Sequence, residues 1–103
     1  MTTASDDFDY ERALVGCARG ERQALQDIYR QDSRHLLGVA LRIVRQRQQA
    51  EDVVHDAFMN IWTQAASFDA QRGSARGWIY SVVRNLALNA VRNGAREVPV
   101  DEE

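Results

Sequence analysis

Between Gln49 and Ala66, apolar residues return at a fixed rhythm: Ala50, Val53, Val54, Ala57, Phe58, Ile61, Trp62 and Ala65. This i, i+3, i+4, i+7 spacing makes one face of an α-helix apolar and is incompatible with the alternation of a strand. A helix with one apolar face needs other elements to cover it. Three further segments with the same period supply them, and a chain of 103 residues can bury about two-thirds of its unfolded surface without staples. The expected fold is all-α, a compact bundle of three to five helices in a single domain.

The first of those segments runs from about Asp9 to Ala18, with Ala13, Leu14 and Cys17 on one side and Gly20 as its stop. Cys17 falls on the apolar side, which predicts a buried, inert thiol. The second spans about Glu21 to Arg45, with Leu25, Ile28, Tyr29, Leu36, Leu37, Ala40, Ile43 and Val44 as its stripe. Ser33 could cap a break, so it is one long helix or two. The polar stretch Gln46–Gln49 reads as a turn. It leads into the helix of the opening stripe, whose first turn should hold Glu51 and Asp52 near the positive end of the dipole. A loop over Ser67–Gly73 follows, then Ser74 as N-cap of a last helix that ends near Asn93 at Gly94. Pro99 and the acidic end read as the start of a linker, so residues 1–96 form the domain and residues 97–103 leave it.

Composition removes several classes. A single cysteine excludes an intramolecular disulfide and any CxxC zinc site. The acidic start MTTASDDFDYER lacks the apolar core of a secretory signal, and Arg42 interrupts the longest apolar run, Leu36–Val44, far short of a membrane span. The expected location is the cytoplasm. No Ser/His/Asp set, P-loop or GxGxxG is present. Asp32-x-x-His35 and Asp52-x-x-His55 have the spacing of di-iron ligands, but such a site needs further inward carboxylates. Wheel positions put Asp52 opposite the core stripe and both histidines well off it, so they are expected on the surface. Neither catalysis, nor a metal, nor a cofactor is expected.

The net charge of −2 hides segregation. Residues 1–32 carry seven acids and four arginines, 33–48 four arginines and no acid, 49–69 four acids and no base, and 70–96 five arginines and no acid. The end, 97–103, adds four acids. Patches of one sign steer partners of the other, although any helical protein also has solvated charged faces. All 13 basic residues are arginine, whose planar fork suits phosphates and base edges.

Two outward faces follow. Away from the core, the third helix presents Asp52, His55, Asp56, Met59 and Thr63. Acids around an adaptable methionine fit a protein contact, and equally a solvated face with one stray apolar residue. The last helix has the core stripe Trp78, Ile79, Val82, Val83, Leu86 and Ala90. Opposite it lie Tyr80, Arg84, Leu88 and Val91, flanked by Arg76, Asn85 and Arg92. Arginine neutralises phosphate, aromatic rings stack on unpaired bases and asparagine pairs with base edges, so this face fits nucleic acid. Phe68, Arg72 and Gly73 in the preceding loop could help to form a pocket for an extruded base. Trp78, on the apolar stripe, is expected in the core.

The series Ala50-Glu51-Asp52 … Phe58 … Trp62, then Phe68-Asp69 and Arg72-Gly73-Ser74, then Trp78-Ile79-Tyr80 and Arg84-Asn85, resembles region 2 of bacterial sigma factors. The compact form resembles the extracytoplasmic-function (ECF) group, and the likeness covers about residues 9–96. Ala24-Leu25-x-x-Ile28-Tyr29 also fits the family's early helix. His55 and Asn89 stand where glutamine and aspartate are frequent. The resemblance implies a non-catalytic initiation factor whose acidic helix docks on the clamp helices of the RNA polymerase β′ subunit, here through Asp52, His55, Asp56, Met59 and Thr63. It implies recognition and melting of the −10 promoter element by holding unpaired non-template bases. That task falls to Phe68, Arg72, Ser74, Arg76, Tyr80, Arg84, Asn85, Leu88 and Arg92. It further implies a monomer, a possible anti-sigma partner, and a helix-turn-helix region 4 beyond a linker. That second domain is absent from this sequence, which is expected to be region 2 alone. The alternative is a small helical adaptor that binds protein and not DNA.

Overall fold

Asp9 starts the first helix by accepting a hydrogen bond from the Arg12 amide at 2.9 Å. The computed structural model describes residues 8–101, and side chains for residues 8–94. Its elements are α1 (Tyr10–Ala18), α2 (Arg22–Val44), α3 (Arg47–Gln64), two single 3-10 turns (Ala65–Ser67 and Ala70–Arg72) and α4 (Ala75–Asp101). The fold is therefore the expected all-α bundle, with four α-helices among the described residues. The acidic residues Asp6 and Asp7, and Glu102 and Glu103, lie outside that range.

Gly20 stops α1 as expected, with a φ of 82°, while the amides of Gly20 and Glu21 return to the carbonyls of Cys17 and Gly16. Ser33 breaks nothing: α2 is one continuous helix. It ends at Arg45, which takes the left-handed conformation (φ 63°, ψ 15°) usually left to glycine or asparagine. The turn is completed by extended Gln46, so it occupies residues 45–46 and not 46–49. Helix α3 begins earlier than expected because arginine and glutamine are good helix formers. Arg47 Nε also pairs with Glu51 Oε2 at 2.9 Å, and Gln48 Nε2 donates to Asp52 Oδ1 at 3.1 Å, contacts one helical turn apart. Glu51 and Asp52 consequently sit in the second turn, tied to side chains and not to the helix end.

All four helices share one core. Leu14, Cys17, Ile28, Leu36, Val39, Ala40, Ala50, Val53, Ala57, Phe58 and Ile61 are buried in it. Burial pushes the Cys17 thiol pKa up, reinforced by nearby Glu21, and keeps it in the inert form. Helix α4 contributes Ala75, Ile79, Val83 and Ala87, a stripe of four-residue steps. The expected stripe was wider: Trp78, Val82, Leu86 and Ala90 are half-buried on its flank. Tyr29, expected in the core, is 55% exposed and meets Phe58 edge-on at 5.2 Å. Conversely Tyr10 and Asp32 are buried, and Asp32 fills the place between Ile28 and Leu36 on the inner face of α2. Ser74 caps α4 as expected, its Oγ accepting from the Gly77 amide at 3.0 Å. Gly94 does not end α4, which continues through Pro99 to Asp101, so residues 97–101, expected as linker, are helical. No described helix is long and apolar enough to cross a membrane.

Candidate functional site

The third helix buries Ala50, Val53, Val54, Ala57, Phe58 and Ile61, which turns its other side to solvent. All five residues expected there, Asp52, His55, Asp56, Met59 and Thr63, are exposed. Met59 is 47% exposed and lies beside Leu25 and Trp62, with Arg22 and Gln26 at the rim of a shallow groove. The acidic face thus borders an apolar strip contributed by α2, which the α3 pattern alone did not reveal. His35 is exposed like His55, and no cluster of three or more His, Cys, Asp or Glu suited to a metal occurs among the described residues.

The loop between α3 and α4 folds into a cleft of about 420 Å³ lined by Ser67, Phe68, Asp69, Arg72, Gly73, Ser74, Gly77, Trp78 and Ser81. That size lies within the range of small-ligand pockets, about 300–1,000 Å³. Its shape follows from local chemistry. The Asp69 carboxylate accepts from the Gln71 amide at 2.9 Å and starts the second 3-10 turn. Gly73 then takes φ 153° and ψ −178°, a region essentially reserved for glycine, and releases the chain toward the Ser74 cap. Phe68 and Trp78 meet edge to face at 6.0 Å and form an aromatic wall. Arg72 is exposed at the same cleft. The Ser74 oxygen is engaged in the cap, but its proton remains free to donate.

Trp78 packs against the core, as its spacing implies, but only in part. It is half-buried and also lines the cleft. Aromatic Phe68 ten positions upstream was the available clue, because one large ring in a short loop needs another surface to rest on. Ser81 also lines the cleft and donates to the Trp78 carbonyl at 2.7 Å.

The remaining candidates on α4 divide. Arg76 and Tyr80 turn to the opposite flank, where with Asp32, His35, Leu36, Ser74 and Gly77 they line a second cleft of about 240 Å³. Tyr80 is 41% exposed. The Arg76 guanidinium stands 5.3 Å from the Tyr10 ring centre, and its Nε is 3.8 Å from Asp32 Oδ2. Arg84, Asn85 and Arg92 are exposed, whereas Leu88 is half-buried. Arg92 Nη1 donates to Asn89 Oδ1 at 3.2 Å, so Asn89 steadies an arginine. The structure therefore brings Phe68, Arg72 and Ser74 together around one cleft, Arg76 and Tyr80 around another, and sets Arg84, Asn85 and Arg92 along the exposed helix.

The sigma-70 region 2 family model matches residues 28–97, which holds most of α2, all of α3, the loop and α4 through its exposed arginines. The chain belongs to the sigma-70 region 2 family. This family consists of non-enzymatic transcription initiation factors, and the ECF character expected from the sequence agrees with the relatives found. The chain is 27% identical over 84 residues to the ECF RNA polymerase sigma factor SigK of Mycobacterium ulcerans (strain Agy99), a match covering 82% of this chain and 45% of that protein. It is 24% identical over 84 residues to SigK of Mycobacterium tuberculosis (strain ATCC 25618 / H37Rv), with the same coverage. It is also 27% identical over 103 residues to the ECF RNA polymerase sigma factor RpoE of Cereibacter sphaeroides (strain ATCC 17023), covering 98% of this chain and 56% of that protein. The sigma region 2 chain thus spans about half the length of the curated relatives it matches. No solved structure matches it significantly.

Proposed function

We propose that this region 2 acts in transcription initiation by docking on RNA polymerase core through α3 and holding unpaired bases of the −10 promoter element with α4 and the preceding loop. The supporting observation is the loop cleft: an aromatic wall of Phe68 and Trp78 with Arg72 beside it, next to a helix face bearing Arg84, Asn85 and Arg92. An aromatic ring offers a stacking surface to a flipped base, arginine meets the phosphate, and asparagine pairs with a base edge. Strand separation costs a few kcal/mol per base, which recapture of the unstacked bases offsets.

Asp52 and Asp56 carry acidic charge on an exposed surface with Met59 between acid and groove, which suits a basic partner with an apolar ridge such as the β′ clamp helices. The non-template strand is the expected ligand, and the domain works as a monomer in the cytoplasm beside the polymerase. A region 4 reading the −35 element and an anti-sigma factor covering these faces are the further partners that the family suggests. By itself the domain binds duplex DNA weakly, since its net charge is −2 and the polymerase supplies much of the grip.

Fluorescence titration of a non-template −10 oligonucleotide and a scrambled control, each with and without core polymerase, tests the proposal. Preference for the −10 strand that strengthens with core enzyme is expected. Equal affinity for both strands under both conditions favours the protein-binding adaptor instead.

A further inference from the structure

Arg76 differs from the other arginines of α4 and its loop: among the described residues of that face it alone forms an ion pair with a carboxylate. That carboxylate belongs to Asp32, whose residue is 2% exposed. One oxygen, Oδ1, accepts from the Tyr10 hydroxyl at 2.8 Å, while Oδ2 is buried without a hydrogen-bond partner and faces Arg76 Nε at 3.8 Å. A buried carboxylate needs a compensating charge, and Arg76 is the cation that supplies it. The Tyr10 ring holds the same guanidinium from a second direction, 5.3 Å from ring centre to carbon. Ring face and carboxylate together restrict where the planar group can sit.

The contact to Asp32 is made through Nε, and the Arg76 side chain remains 53% exposed. Arginine carries five donors in a rigid fork, so Nε can serve the carboxylate while the two Nη groups remain available. Lysine, a single point charge, cannot divide itself in this way. Tyr80 stands on the same cleft, so a base stacked on its ring would bring its phosphate near that fork.

Building on the proposed single-strand binding, we infer that Tyr10 and Asp32 are positioning residues that hold Arg76 with its terminal fork toward a phosphate of the unpaired strand. Helices α1 and α2, which carry neither base-facing group, thereby set the affinity of α4. The sequence showed only an aspartate and an arginine 44 positions apart.

Two measurements on the 103-residue chain test this. In nitrogen-15 NMR, the Arg76 Nε proton should exchange with water more slowly than that of Arg84, and Asp32→Asn or Tyr10→Phe should remove the difference. Equal exchange of Arg76 and Arg84 in the unaltered chain overturns the clamp. In low-salt titration with the non-template −10 oligonucleotide, Tyr10→Phe should weaken binding about three- to tenfold and have no effect in an Arg76→Ala background. Arg76→Lys, a surface change that retains the charge, should weaken binding as much as Arg76→Ala. Equal weakening by Tyr10→Phe in both backgrounds, or full rescue by lysine, overturns the positioning role. Absence of strand binding by the unaltered chain, alone or on core polymerase, overturns the single-strand reading and this role with it, while the exchange data still report the clamp.

Discussion

The Tyr10 hydroxyl donates to Asp32 Oδ1 across 2.8 Å, joining α1 to the middle of α2 inside an otherwise apolar core. Asp32 Oδ2 has no hydrogen bond of its own, so the tyrosine supplies the carboxylate's one buried donor. Removing it with Tyr10→Phe should cost about 1–3 kcal/mol, the desolvation penalty of an unsatisfied buried group. Urea unfolding followed by circular dichroism reads this directly, and a smaller loss for Asp32→Asn than for Tyr10→Phe is expected because the amide is uncharged.

The same pair makes stability depend on alkaline pH. Burial, then the Asp32 hydrogen bond and charge, raise the Tyr10 pKa from about 10 to about 12. The folded state therefore holds the phenol proton more tightly than the unfolded chain. The resulting stabilisation is fully present below pH 10 and is lost as the pH rises toward 12. Thermal midpoints across that window should fall, and the fall should flatten in Tyr10→Phe.

Charge reversal on α3 separates docking from folding. Asp52 and Asp56 are exposed, and Asp52 gives up only its hydrogen bond from Gln48. Asp52→Arg or Asp56→Arg should abolish association with core polymerase while leaving the helical spectrum and unfolding midpoint nearly unchanged, within about 0.5 kcal/mol. Retention of core enzyme by both variants in a pull-down would contradict the docking face.

On α4, Arg84 is exposed and makes no ion pair among the described residues. Its loss should weaken single-strand binding uniformly across sequences and reduce the log–log salt slope by about 0.7, one phosphate's share. Affinity measured at several salt concentrations checks both numbers.

A methyl group added at Gly73 would meet open space, but the backbone there, with φ 153°, is one that other residues rarely adopt. Gly73→Ala should therefore cost about 1–3 kcal/mol through backbone strain and not through a clash. Loss of −10 strand binding should accompany it, measured beside the unfolding midpoint, because the loop that shapes the cleft pivots there.

Much of this was legible in the residues. The stripe from Ala50 to Ala65 fixed α3 and its outward acids, and Ser74 and Gly20 marked helix ends through chemistry local to a few residues. What stayed hidden depends on distance. Asp32 shares the four-residue step of Ile28 and Leu36, but its partners, Tyr10 22 positions earlier and Arg76 44 positions later, are brought against it only by the fold. Trp78 has core spacing, and only the return of the loop puts Phe68 against its edge. The turn after α2 was misjudged because Arg45 adopts a left-handed conformation without the glycine that usually announces one, and Gly94 because a helix tolerates one glycine at about 1 kcal/mol.

Two short 3-10 turns, Ala65–Ser67 and Ala70–Arg72, take up most of the short connection between α3 and α4. A partner that seizes α3 thereby sets the address of the cleft in space, as one arm of a carpenter's square sets the other. If the cleft holds an unpaired strand as proposed, that strand would be gauged from the α3 surface outward, and the span of the connection would set a distance along the DNA before any base is read.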